Sequence, residues 1–239
     1  MHDTDPAEQG RHGPAPAGRR ALTANGVRTV FRDRGEAGER LAGAVAELGP
    51  ERPLVLALPR GGVPVAEHVA RSLGAPLDVI VVRKIGAPGN PEAAIGATTA
   101  EGPPLFDKGA LVALGVTEGD LAGRSGDAQA EARRRVSAYR GDAPDPEVEG
   151  RDVIVVDDGL ATGMSARAAV SEVRERGAAA SVVLAVPVGA PEAVTALEEV
   201  CDRVVCLSTP PDFRAVSLWY EEFPQVDDAE VRRILGRAR

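Results

Sequence analysis

The chain has 239 residues, 44% apolar and 27% charged, a balance that fits one soluble globular domain with room for an insertion. Its 28 basic and 36 acidic residues give a formal net charge of −8, which disfavours a general polyanion binder. Four Phe, two Tyr and one Trp are too few for a stacking platform along nucleic acid. His2 and His12 fall in the N-terminal stretch, so only His68 lies within the expected fold. That argues against a multi-histidine metal site and against a Ser-His-Asp triad. Cys201 and Cys206 flank a short apolar run; in a strand they stand farther apart than the roughly 5.5 Å between Cα atoms that a disulfide needs, and they read as buried thiols. No charged segment leading into an apolar core opens the chain. The longest uncharged apolar stretch, Ala178 to Ala190, is too short to span a bilayer and contains Pro187. A cytoplasmic protein with neither membrane nor nucleic-acid partners is expected.

In chain order, residues 1–26 are rich in Gly, Pro, Ala and charge without apolar periodicity, and read as a flexible tail. Residues 27–239 read as a single domain. A helix is expected from Gly35, with Leu41, Ala42, Val45, Ala46 and Leu48 on one face and Gly49-Pro50 closing it. Short apolar runs follow at Leu54–Leu58, Val79–Val82, Val153–Val156, Val182–Val186 and Val204–Leu207. Helical patterns lie between them at Val63–Leu73, Met164–Arg176 and Pro191–Glu199. Runs of Val and Ile that are apolar on both faces are what a parallel sheet covered by helices requires, so the fold class is α/β. Residues 103–150 break this rhythm with a loop, a small apolar run at Leu111–Val116 and a charged helix around Asp127–Arg140. They read as an insertion, either a cap over the site or a solvated helix packed on an edge. A last helix begins at Asp227, where Asp227 and Glu230 have capping-box spacing.

The strongest chemical signal runs from Val153 to Ser165, VIVVDDGLATGMS. A buried strand ends in two carboxylates, and a glycine-bearing turn then enters a helix. In such sheets ligands bind at the carboxyl ends of strands. Gly159 and Gly163 let backbone N–H groups converge on an anion, the helix adds its positive end, and Thr162 and Ser165 add hydroxyls. Asp157 and Asp158 would repel that anion. They suit the hydrogen bonds of vicinal hydroxyls or a hydrated Mg²⁺. Phosphate, diol and divalent metal together describe a ribose 5-phosphate.

This segment resembles the phosphoribosyl pyrophosphate motif of type I phosphoribosyltransferases: apolar strand, two acids, three variable positions, then Thr-Gly-x-Thr/Ser. The alternative is a generic Asp-Asp strand end of another doubly wound fold. The resemblance implies that Asp157 and Asp158 hold the ribose hydroxyls, directly or through Mg²⁺, and that Ala161, Thr162, Gly163, Met164 and Ser165 wrap the 5-phosphate. Gly159 stands where the family often has a branched residue. Ala161 stands where 6-oxopurine enzymes are usually acidic and adenine-type enzymes commonly have Ala; it can be neither acid nor base.

Leu54 to Pro64, LVLALPRGGVP, forms a second strand–turn–helix unit. Its Arg60-Gly61-Gly62 resembles the family's pyrophosphate loop, although such a triplet is also an ordinary turn. Arg83 and Lys84 follow the next run and lead into IGAPGNPEAAIGA. That segment reads as a mobile cover delivering cations to the leaving group, with an ordinary surface lysine the alternative for Lys84. Phe213, Trp219, Tyr220 and Phe223 cluster where the family places a hood over the base. Trp219 and Tyr220 are the stacking candidates, and plain packing of the last strand and helix is the alternative.

The order of motifs from Phe31–Gly38 onward resembles a bacterial group within that family. It implies a type I phosphoribosyltransferase fold, with a mostly parallel sheet flanked by helices plus a hood or inserted element. It also implies Mg²⁺-dependent transfer of ribose 5-phosphate from phosphoribosyl pyrophosphate to a nitrogenous acceptor, and a possible homodimer by analogy. The other readings are a regulator that binds phosphoribosyl pyrophosphate or a nucleotide without turnover, and a phosphohydrolase using the same loop.

Overall fold

The structure, a computed structural model, describes residues 31–141 and 143–237. The expected tail at 1–26 lies outside them. Among the described residues, eight strands and seven α-helices form two sheets with their covering helices.

The larger sheet is wholly parallel. Its strands are β1 (Pro53–Ala57), β2 (Leu77–Val79), β6 (Asp152–Val156), β7 (Ser181–Val188) and β8 (Arg203–Ser208), in the order β2-β1-β6-β7-β8. Alternation along each strand divides its side chains between two apolar layers. Val55, Ala57, Ile154, Val156, Val183 and Ala185 face α1 (Arg34–Ala46), α2 (Gly62–Leu73) and α7 (Asp228–Arg237). Leu54, Leu56, Val153, Val155, Val182 and Leu184 face α5 (Met164–Arg176) and α6 (Pro191–Glu198). Burial on both sides is why these strands read as unbroken apolar runs. The caps also follow the chain's own chemistry. Asp33 accepts the Glu36 N–H at the start of α1, and Asp227 accepts the Glu230 N–H ahead of α7.

The run expected as one strand at Val79–Val82 is instead shared between two sheets. β2 ends at Val79, Ile80 and Val81 cross over, and β3 (Val82–Ala87) opens a second sheet with β4 (Asn90–Thr99) and β5 (Leu105–Phe106), all antiparallel. The segment expected to be an irregular cover is therefore a hairpin. Ala87 pairs with Asn90 across a two-residue Pro88-Gly89 turn, a tight turn that the Pro-Gly step favours. Beyond it, α3 (Lys108–Leu114) and α4 (Ala122–Arg140) complete this layer around a small core of Ala87, Ile95, Leu111 and Leu121. The departure from the parallel rhythm thus begins at Val82 rather than at residue 103. α4 packs along β2, β3 and β4, and its Arg140 is buried in an ion pair with Asp78 of β2 at 3.0 Å. Among the described residues no helix is long and apolar enough to cross a membrane.

Candidate active site

The strand order reverses direction between β1 and β6, the place in a doubly wound sheet where two carboxyl-terminal turns splay apart and leave a crevice. The two turns there are Arg60-Gly61-Gly62 after β1 and Asp157-Asp158 after β6. The Leu58 N–H donates to the Val156 carbonyl at 2.8 Å, which keeps the turns in register as they leave the sheet. The Pro59–Arg60 peptide is cis. A Cβ on Gly61 would sit 2.0 Å from Asp158 Oδ2, and one on Gly62 would sit 2.6 Å from the Val156 carbonyl oxygen. Both glycines are therefore required by contact: any side chain would displace the acids.

The two carboxylates are tucked against those glycines. Asp157 accepts the Asp158 N–H through Oδ1 at 2.8 Å. Burial pushes the Asp157 carboxyl well above the ordinary carboxylate range, and repulsion from Asp158 adds to it. Burial also raises Asp158, opposed by Arg34, whose Nε and Nη2 each lie 2.8 Å from Asp158 Oδ2. The Asp158 carbonyl accepts the Tyr220 hydroxyl at 2.6 Å.

Beside the acids, the turn Ala161–Ser165 leads into α5. Gly163 holds a left-handed backbone at φ 77° and, as N-cap, supplies no side-chain bond, so the start of α5 lacks its usual cap and the Met164 N–H has only a long contact to Thr162. Ala161 and Thr162 are exposed, Met164 and Ser165 half-buried, and Thr162 Oγ1 lies 3.5 Å from the Met164 N–H. A turn, an uncapped helix start of 13 residues and two hydroxyls form an anion-receptive element. Gly159 has its own explanation: a Cβ there would lie 2.5 Å from Val216 Cγ1, so Val216 occupies the space that a branched side chain would need.

Arg34, Arg60, Gly61 and Asp158 line a cleft of about 360 Å³ together with Phe223, Pro224, Gln225 and Val226. Arg60 Nη1 stands 3.7 Å from Asp228 of α7, whose carboxylate also accepts the Tyr139 hydroxyl of α4 at 2.6 Å. The remaining expected residues lie elsewhere. Arg83 and Lys84 are paired with Thr98 and Ala97 in the β3–β4 hairpin, Lys84 is exposed, and neither lines the cleft. Trp219 and Tyr220 are 3% and 6% exposed and pack with Phe31, Ala37 and Val188. This is the packing alternative: neither ring lines the cleft, and the aromatic that does is Phe223.

Sequence reasoning missed Arg34. It belongs to the opening Phe31–Gly38 segment, which counts in the order of motifs while its charges receive no site role from the sequence. The available signal was an arginine directly after the Asp33 cap, one turn from a buried face. Its partner lies 124 positions away, which no local pattern reveals. Among the described residues no group of three or more His, Cys, Asp or Glu side chains is arranged to hold a metal ion. The two cysteines are free; burial pushes the Cys201 thiol up to about 11 and Cys206 up to about 12, so neither is a reactive thiolate.

Comparison with known proteins identifies a family. Residues 34–220 match the phosphoribosyl transferase domain family. Two chains of Mycobacterium tuberculosis, from strains CDC 1551 / Oshkosh and ATCC 25618 / H37Rv, carry the provisional name phosphoribosyl transferase. Each is 42% identical over 209 residues, covering 87% of this chain. This chain spans about half of their length, 47%. The crystal structure of TT1426 from Thermus thermophilus is 48% identical, covers 86% of this chain and 97% of its own, and superposes with a TM-score of 0.74. Matched over most of its length in sequence and in backbone, the chain belongs to the phosphoribosyl transferase domain family.

Proposed function

We propose that this protein transfers ribose 5-phosphate from phosphoribosyl pyrophosphate to a nitrogenous acceptor and releases pyrophosphate. The observation that carries the reading is the meeting of the two turns at the switch point, with Asp158 packed on Gly61 beside the uncapped start of α5. In this reading the α5 turn, from Ala161 to Ser165, binds the 5-phosphate. Asp157 and Asp158 accept the ribose hydroxyls, and the Gly61-Gly62 backbone with Arg60 receives the pyrophosphate. The C1–O bond breaks with its electron pair leaving on pyrophosphate, the acceptor nitrogen forms the new bond to C1, and the displaced N–H proton passes to solvent. The residues act by positioning the donor and stabilising separated charge. Ala161 supplies no acid or base, which disfavours a 6-oxopurine acceptor.

The donor set fits Mg²⁺ in one particular way. Two adjacent carboxylates without a third protein ligand suit an ion that arrives on the substrate's phosphates and keeps its waters. Asp157 and Asp158 would hold it through water or the ribose hydroxyls. When bound, it would neutralise charge on the pyrophosphate.

A pyrophosphate-release assay with donor and Mg²⁺, run across purine, pyrimidine and non-nucleobase acceptors, tests the reading. Release that requires an added acceptor is expected. The Asp158→Asn variant should weaken Mg²⁺-dependent donor binding by about tenfold or more in calorimetry, the scale of losing one charged hydrogen-bond acceptor. Unchanged binding would remove the ribose-clamp role. The alternative is a regulator that binds without turnover, favoured by the placing of Arg83 and Lys84, the expected cations for the leaving group, in the β3–β4 hairpin. Saturable donor binding with no release across the whole panel would select it, and phosphate release without any acceptor would select a hydrolase.

A further inference from the structure

We infer that Arg34 is a positioning residue that fastens the hood segment, residues 219–226, to the acidic pair, so that donor binding at Asp158 is felt in the hood; the inference rests on the donor assignment above. One guanidinium serves three partners. Nε and Nη2 reach Asp158 Oδ2 at 2.8 Å, Nη1 donates to the Pro224 carbonyl at 2.7 Å, and Cζ lies 3.7 Å from the centre of the Phe223 ring. Only a planar fork can bond along two edges while stacking on a face, which lysine cannot do. The side chain is 10% exposed, so water only poorly replaces a partner that moves.

A second tie runs in parallel. Tyr220 donates to the Asp158 backbone carbonyl at 2.6 Å, so both the side chain and the main chain of Asp158 are bonded into residues around the hood. Arg34 is also anchored to the same body. The residues just before α1 form a strap with the hood: the Phe31 N–H donates to the Trp219 carbonyl, and the Glu221 N–H donates to the Phe31 carbonyl, each at 2.8 Å. The start of α1, the hood and Asp158 therefore form one hydrogen-bonded unit. Asp158 Oδ2 is held between Gly61 and Arg34, so a ligand hydroxyl that donates to Oδ2 shares it with Arg34 and acts through that side chain on Pro224 and Phe223.

Hydrogen–deuterium exchange on the full chain tests the coupling. Peptides covering 219–226 are followed with and without saturating phosphoribosyl pyrophosphate and Mg²⁺, and peptides covering 161–170 report donor occupancy. In the wild type, donor should slow exchange in both regions. In Arg34→Gln it should slow exchange at 161–170, with the slowing at 219–226 lost. A purely structural arginine would raise basal exchange without removing the response to donor. Arg34→Lys, which keeps the charge and lacks the fork, provides a second variant should Arg34→Gln not fold, and it should show the same loss. A hood response of wild-type size in either folded variant overturns the inference, as does a wild type that binds donor at 161–170 without responding at 219–226. Absence of any donor effect at 161–170 in the wild type would instead overturn the donor assignment, and the inference with it.

Discussion

Strand β6 opens on one aspartate and is followed by two, and the opposite ends carry opposite electrostatic consequences. Asp152 accepts the Ser181 hydroxyl at 2.6 Å and the N–H groups of Glu51 and Arg52 at 2.9 and 3.2 Å. The Ser181 bond, with help from those N–H groups, pulls its carboxyl below the ordinary value of 3.8. Asp157, at the other end, is raised by burial and by Asp158. A depressed carboxyl stabilises the fold above its unfolded value, and that stabilisation is lost as pH falls through the folded value. A raised carboxyl costs stability once pH exceeds its unfolded value, and the cost is complete above the folded one. Asp152→Asn should therefore lower the melting temperature at neutral pH, by the equivalent of about 1 kcal/mol for a partly solvated charged acceptor. Asp157→Asn should raise it. The Asp157 difference should shrink as melts are carried down from about pH 8 and vanish near the ordinary carboxylate value, whereas the Asp152 difference should persist down to that value and fall away only below it. An Asp157→Asn protein that melts below the wild type at neutral pH would remove the claim that the acidic pair is held at a cost to stability.

Among the elements, α4 is joined to the parallel sheet by the Asp78–Arg140 pair, with both side chains 10% exposed or less. Removing one partner of a buried pair leaves the other charged and poorly solvated. Asp78→Asn should destabilise the protein by about 3 kcal/mol in urea unfolding, the lower end of that class, because Arg140 keeps its pair with Asp145. The parallel strands and their helices were legible in the sequence because burial on both faces leaves a signature in every residue of the run; α5 has the bounds its periodicity predicts, Met164–Arg176. The β3–β4 hairpin was not, because the first five residues of β4 are exposed and its glycines and prolines imitate a loop. Only the Pro88-Gly89 step marked it. At the site, the turn residues were legible as a chain of types in fixed order. The direction in which a side chain points was not. Trp219 and Tyr220 turn inward, Arg83 and Lys84 lie on a hairpin off the cleft, and Arg34 acts through a tertiary contact.

On the scale of the whole molecule, two apolar layers sandwich one sheet, and the cleft opens where the sheet's winding reverses. The hood belongs to neither layer. It is held by the strap between residues 31–32 and 219–222 and by its own cluster of Phe31, Val188, Trp219 and Tyr220. Contacts that join such distant positions carry the largest loop-closure cost and form after the local pairings they depend on. Pulse-labelled exchange during refolding should find the amides of Phe31 and Glu221 protected later than those of Val155 and Leu184. Simultaneous protection would show that the hood is part of the nucleus. The strap also sets a schedule during translation. A nascent chain has both turn glycines and both acids once residue 158 has emerged, yet Pro224 and Phe223, which hold Arg34 in place, are still to be synthesised. The growing polypeptide therefore passes through an interval in which the five parallel strands, complete at Ser208, are all made while the pocket still lacks residues 219–226.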